Sequence, residues 1–313
     1  MKEISILFLG AAKRVSLLER FELAASLLGV RLRLYSCELD AGFYPISALA
    51  KVLAGPPFLS EAFDPWLQSA IDQYQLQIVI PNMDAATVAL SRFAKNSSSA
   101  AWAVVSSEML CELMYDKLTA DVFFREHQIP VPPDTPGKFP KILKPRLGFG
   151  AKNIRIVRDA RQLELEAASS GSGDILQDFL SDVQETTVDI YVSLRHGVRG
   201  YVLRDRIEVS DGEVMVCRTR SPRPEEELLI SRIGEIPGWQ GCITLQYVTD
   251  SHGSLYVIEI NPRFGGGATC AIEAGLDMSS YILLEHLNTE LPQPGRIRHL
   301  IMSRARRDFF HEY

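Results

Sequence analysis

Near the end of the chain, "LYVIEINPRFGGG" (255–267) sets a carboxylate, an amide and a guanidinium at alternate positions, Glu259, Asn261 and Arg263, before three glycines. Strand side chains alternate between faces, so Leu255, Val257, Glu259 and Asn261 are expected on one face and Tyr256, Ile258 and Ile260 on the other. The turn "DSHG" folds the preceding strand, "GCITLQYVTD", back on this one, and its loop length sets Gln246 opposite either Glu259 or Val257. Both registers let Gln246, Glu259 and Asn261 converge. Two amide oxygens and a carboxylate are hard donors of the kind that hold Mg²⁺ (or Mn²⁺), with substrate phosphates and water completing the shell. Arg263 would reach the same region and offset charge on a moving phosphoryl group. Gly265 to Gly267 would let main-chain N–H groups approach an anion at a helix start.

Two lysines suit the other side of such a site, because an ammonium is a compact cation that matches a phosphate chain. Lys144 stands inside the apolar strand "KILKP", where a charge needs a reason; Lys117, in "MYDKLTA", taken alone reads first as a solvated helix lysine. The glycine-flanked loop "RLGFGAKN" can close over a reactive intermediate, and "FLSD" after an apolar strand offers main-chain groups to an adenine edge.

The elements that must carry these residues fall into three blocks. "ISILFLG", "VSLLERFELAASLLG" and "VRLRLYSCELD" read as strand, helix and strand, followed by helix, buried strand, helix and short strand to about residue 110: a parallel α/β lobe. Residues 111–180 read as two helices, the first with a serine cap, then a β-hairpin and a further strand. From 181 to 313 the pattern turns antiparallel, with helices expected at "PEEELLISRIGEIP" and "DMSSYILLEHLN" and a last amphipathic strand in the basic tail. With 313 residues, 46% hydrophobic and 23% charged, the chain is long enough for several packed lobes and has no apolar run of membrane-spanning length. A net charge of −6 argues against nucleic acid as the main partner, and five cysteines without a CxxC pair read as reduced, buried thiols of a cytosolic protein.

Taken together, these motifs resemble the ATP-grasp superfamily, and within it the short single-copy proteins similar to the carbamoyl phosphate synthetase large subunit. The resemblance covers roughly residues 110–275 and implies a preATP-grasp parallel α/β lobe followed by an α+β ATP-grasp fold, made of a small lid subdomain and an antiparallel-sheet subdomain. It implies an ATP-dependent ligase that activates a small carboxylate as an acyl phosphate for attack by an amine or another nucleophile, with ATP and Mg²⁺ as cofactors. Gln246, Glu259 and Asn261 fall at the metal positions and Arg263 at the catalytic arginine. Lys117 and Lys144 fall at the phosphate-contacting lysines, and Gly148, Phe149 and Gly150 in the covering loop. Gln177, Asp178, Phe179 and Leu180 fall where adenine binds, and Glu185 at a ribose-binding acid. Lys152 and Gln177 depart from the residues that many relatives carry there.

Substrate recognition is expected between the first lobe and the antiparallel sheet. Lys13 and Arg14 follow Gly10 in the first helical turn, either solvated or answering a substrate anion. Asp84, after "VIPNM", would meet an ammonium group or cap a helix. Arg204, Arg206, Arg218 and Arg220 alternate along two strands, with Arg206 and Arg218 the candidates to face substrate. None of the six histidines has a partner at telling spacing, so no side-chain nucleophile is expected. A nicotinamide-dependent oxidoreductase is disfavoured because only Gly10 of a GxGxxG fingerprint is present. A regulatory nucleotide binder and a homodimer both stay open.

Overall fold

The computed structural model describes residues 2–42, 44–148, 153–169, 173–210 and 212–310. Strand β1 (Glu3–Leu9), helix α1 (Val15–Leu27) and strand β2 (Arg31–Glu38) open the chain. They are followed by β3 (Lys51–Ala54), α2 (Phe63–Tyr74), β4 (Ile78–Pro81), α3 (Asp84–Asn96) and β5 (Trp102–Ala103). The strands form a parallel sheet of order β3-β2-β1-β4-β5. The pleat of β1 sorts its apolar residues: Leu7 and Leu9 pack with α2 and α3, while Ile4, Ile6 and Phe8 pack with α1. β3 had no clear periodic signal in the sequence, and β5 is only two residues long.

Helices α4 (Glu108–Tyr115) and α5 (Lys117–Glu126) come next. Ser107 caps the first and Asp116, which accepts from the Leu118 amide at 3.0 Å, caps the second. A small antiparallel sheet of order β7-β6-β8 then combines β6 (Lys141–Lys144), β7 (Arg155–Val157) and, after helix α6 (Ala160–Ser169), β8 (Ile175–Asp178). The hairpin is where the sequence places it; α6 is an addition.

The large antiparallel sheet is built from β9 (Gln184–Ser193), β10 (Gly197–Ser210), β11 (Glu213–Arg220), β12 (Gly241–Thr249) and β13 (Leu255–Asn261), with helix α7 (Pro224–Gly234) between β11 and β12. Helices α8 (Ala268–Ala274) and α9 (Met278–His286) follow, and the tail adds a short, mostly exposed edge strand β14 (Ile301–Ser303). Strand order is β13-β12-β9-β10-β11-β14. One face carries Val188, Ile190, Leu203, Leu245 and Tyr247 against α4, α5 and α7. The opposite face looks toward the first lobe, where α8 and α9 share a core with α1 and β1.

β13 overturns one expectation. Gln246 pairs with Glu259 and Tyr247 with Val257, so Ile258 is an extra residue in a bulge. The bulge reverses the alternation: Val257 and Ile260 both enter the core, while Ile258 and Glu259 both line a cleft. Val257 therefore does not share a face with Glu259. All five cysteines are buried free thiols, and no helix among the described residues is long and apolar enough to cross a membrane.

Candidate active site

Between the small and large antiparallel sheets lies a cleft of about 440 Å³, a volume suited to a small-molecule ligand. Lys117, Lys144, Gly148, Gln177 and Asp178 to Leu180 line one side; Glu185, Arg206, Gln246, Ile258 and Glu259 line the other. Phe149, Gly150 and Lys152 lie outside the described residues.

On the large sheet, register and bulge bring the three oxygen donors together. Asn261 Nδ2 donates to Glu259 Oε1 at 2.8 Å, and Gln246 Oε1 accepts from Arg206 Nη1 at 3.0 Å. The second Glu259 oxygen and Asn261 Oδ1 have no hydrogen-bond partner among the described residues. One carboxylate and two amide oxygens fit a hard divalent cation that takes its remaining ligands from phosphate and water. No cluster of three His, Cys, Asp or Glu occurs among the described residues, so a cation site here depends on the amides.

Facing them, Lys144 at the end of β6 is 8% exposed and has no hydrogen bond or ion pair among the described residues. Burial, reinforced by the charge of Lys117, pushes its ammonium down to about 8. Glu259 and Asp121 offset its charge only from beyond ion-pair distance, which leaves the ammonium open to an anionic ligand. Lys117 begins α5, and its Nζ donates to the Gly148 carbonyl at 2.6 Å, which ties it to the near end of the covering loop.

The expected adenine-side residues Gln177 to Leu180 all line the cleft, and several of their groups are already engaged. Burial opposes ionisation of Asp178, but hydrogen bonds from Thr135, Lys141 and Lys138 outweigh it and hold the carboxyl well below the usual range. Its amide donates to Pro133 O at 2.7 Å, and the Phe179 amide donates to Pro140 O at 3.1 Å. The Asp178 and Phe179 amides are thus engaged within the chain, which leaves the Leu180 amide and the main-chain carbonyls for a ligand. Gln177 donates to Asp121 Oδ1 at 3.1 Å, which leaves its own oxygen as an acceptor. Glu185 stands at the rim, 3.4 Å from Arg206 Nε.

Arg263 Nε donates to Asp84 Oδ1 at 2.6 Å and Nη1 to Phe264 O at 3.1 Å. Burial opposes its charge, yet Asp84 and Glu259 overcome that and raise its pKa. Asp84 is the first residue of α3, with Met83 as the cap, and its carboxylate holds this guanidinium, where an ammonium contact or a cap was expected. Arg14 is the cap residue of α1, outside the first turn, and Nη1 donates to Gly265 O at 3.1 Å; Lys13 is exposed. The four arginines separate by face. Arg206 lines the cleft, whereas Arg218 and Arg220 bind Asp205 on the opposite face and Arg204 is buried on Asp189 at 2.6 Å. Arg218 therefore does not accompany Arg206. Among the histidines, His286 belongs to α9 and His127 ends α5 with its ring 4.0 Å from Phe123.

The glycine turn is held through its carbonyls: Gly265 O accepts from Arg14, and Gly266 O from Arg304 at 2.5 Å. Arg304 escaped the sequence reading because nothing local links a tail residue to this turn. A Cβ on Gly267 would stand 2.2 Å from Arg204 Nη1, and that side chain is fixed by its buried pair with Asp189. Gly267→Ala is expected to cost about 2 kcal/mol or more through overpacking, read as a lower urea midpoint at unchanged slope. Equal midpoints would show that Arg204 is free to move.

Residues 114–267 match the family model described as the ATP-grasp domain. A comparison with curated proteins gives no match. Among solved structures, the chain is similar to N5-carboxyaminoimidazole synthetase from Staphylococcus aureus complexed with ADP, at TM-score 0.76 and 14% identity over 97% of this chain and 83% of that one. It is also similar to the biotin carboxylase domain of 2-oxoglutarate carboxylase from Hydrogenobacter thermophilus, in complex with MgADP, ADP and bicarbonate, at TM-score 0.73 and 18% identity over 95% and 73% of the chains. Biotin carboxylase from Campylobacter jejuni, in a β,γ-ATP complex, gives TM-score 0.71 and 18% identity over 95% and 74%. The domain match thus spans the residues that build the cleft, and the fold of these structures is shared over nearly the whole chain.

Proposed function

We propose that this protein is an ATP-dependent ligase that phosphorylates a small carboxylate and lets an amine or another nucleophile displace the phosphate, releasing ADP and phosphate. The observation that carries this reading is the placement across one cleft of Lys144, a buried cation with no ion pair among the described residues, from Gln246 and Glu259, the latter hydrogen-bonded to Asn261. In this reading residues 1–110 form the preATP-grasp lobe, 111–180 the lid part and 181–313 the antiparallel part.

Lys144 and Lys117 bind the phosphate chain from one side, and the carbonyls around Asp178 to Leu180 with the Gln177 oxygen orient the adenine edge. Gln246, Glu259 and Asn261 would hold Mg²⁺, which when bound neutralises phosphate charge. Arg263, fixed by Asp84, presents its remaining N–H groups to the carboxylate and the transferring phosphoryl group. No side-chain nucleophile is needed, because the substrate carboxylate supplies the attacking oxygen. The test is a panel of small carboxylates and amines assayed for nucleotide products. ADP and phosphate are expected only when both co-substrates are present; AMP and pyrophosphate would refute the acyl-phosphate route.

A further inference from the structure

Three arginines from distant parts of the chain donate to successive carbonyls, those of Phe264, Gly265 and Gly266. Arg14 comes from the first lobe, Arg263 from the end of β13 and Arg304 from the tail beyond β14. Their counterions are few. Asp84 is engaged by Arg263 at 2.6 Å and Glu213 pairs with Arg304 at 3.4 Å, with 64% of its side chain exposed; both carboxylates offset the charge of Arg14 only from a distance. No carboxylate lies within ion-pair distance of Arg14 among the described residues, and burial with the nearby charge of Arg263 lowers its pKa to about 10.

Each guanidinium has five N–H donors in a planar fork. Arg14 spends one nitrogen on the Gly265 carbonyl, and Arg304 one on the Gly266 carbonyl and one, at 3.4 Å, on Glu213; the remaining N–H groups of both have no partner among the described residues. Holding like charges together at a partly buried spot is unfavourable unless an anion joins them. The spot adjoins the proposed reaction centre, because Arg263 follows Asn261 by two residues at the end of β13.

We infer that Arg14 and Arg304, beside Arg263, form a subsite for a second anionic group on the substrate, a carboxylate or a phosphate in addition to the carboxylate that is activated. This rests on the ligase reading, and it narrows the substrate to molecules with at least two acidic groups. It also gives the basic tail a role, since Arg304 completes a site that the matched domain at 114–267 lacks by itself.

The test is calorimetric titration of the full chain with acetate, succinate and 3-phosphoglycerate, with Mg²⁺ and the ATP analogue AMP-PNP at saturation so that anions cannot enter the nucleotide cleft. At least one of the two dianions is expected to bind about tenfold or more tighter than acetate, and their order tells carboxylate from phosphate. Arg304→Gln should weaken that dianion about tenfold while leaving AMP-PNP affinity within about twofold, and Glu213→Gln, which frees Arg304, should tighten it about threefold. Equal binding of acetate and both dianions, or wild-type affinity in Arg304→Gln, overturns the subsite. If Arg304→Gln loses its melting transition, Glu213→Gln decides alone, and unchanged affinity there overturns it. Absence of AMP-PNP binding would instead count against the ligase reading. The anion titration, run without nucleotide, would still decide on the arginines.

Discussion

Glu259→Gln is expected to lower ADP release by about a thousandfold or more while leaving the melting temperature within a few degrees of wild type. The asymmetry follows from the hydrogen bonding. In the folded chain Glu259 accepts one hydrogen bond, from Asn261 Nδ2 at 2.8 Å, and glutamine retains a carbonyl oxygen that can take it. The charge has no such substitute. Glu259 is the single anion among the three oxygen donors, so its loss weakens the hold on a divalent cation and removes a field that Arg263 experiences. Steady-state rates measured across a Mg²⁺ titration, next to thermal melts, make the comparison. Wild-type turnover in the variant would take Glu259 out of the chemistry altogether.

Lys144→Met should move stability and binding in opposite directions. Below pH 8 the ammonium is charged in both folded and unfolded chains, and the folded chain bears the cost of burying it. A displacement from the ordinary lysine value of 10.5 to about 8 corresponds to roughly 3 kcal/mol, taken as an upper bound. Methionine keeps the apolar stem and removes the charge. The free variant is therefore expected to be more stable than wild type at pH 7, by about 1 to 3 kcal/mol, and the advantage should fade as pH rises from 8 through 10.5. AMP-PNP affinity should fall about 100-fold, because a charge-assisted phosphate contact inside a cleft is lost. Near pH 9 free wild type has a mostly neutral Lys144, and phosphates beside it restore the proton. Titrations in two buffers of different ionisation enthalpy should then show proton uptake on AMP-PNP binding, absent in Lys144→Met. Destabilisation of the free variant together with unchanged affinity would mean that Lys144 serves packing alone.

How much of this was legible beforehand depended on whether the determining contacts were local. The order of strands and helices followed from apolar period and from caps such as Ser107 and Asp116, which act within one turn. Gln246, Glu259 and Asn261 could be grouped because a hairpin joins neighbours in sequence, and Lys144 declared itself as a charge inside an apolar strand. What stayed hidden was either a small backbone irregularity or a long-range contact. The bulge at Ile258 reverses a face with no unusual residue to announce it. Asp84 meets Arg263 across 179 positions, and Arg304 meets Gly266 across 38. Arg206 and Arg218 look equivalent by alternation along their strands, yet the pairing of Arg206 with Cys217 and of Asp205 with Arg218 puts them on opposite faces. Lys138 and Lys141 give no hint in the sequence that Asp178 will spend its carboxylate on them.

The shared core of α1, α8, α9 and β1 has a mechanical consequence. Ile4, Ile6 and Phe8 are sealed by Ala271, Tyr281 and Ile282, so the beginning and the end of the chain are welded into one block. The small β7-β6-β8 sheet contributes no residue to that core or to the one under α7. The small sheet, which carries Lys144, is therefore expected to give way to an entering nucleotide more readily than the frame that carries Glu259 and the arginines.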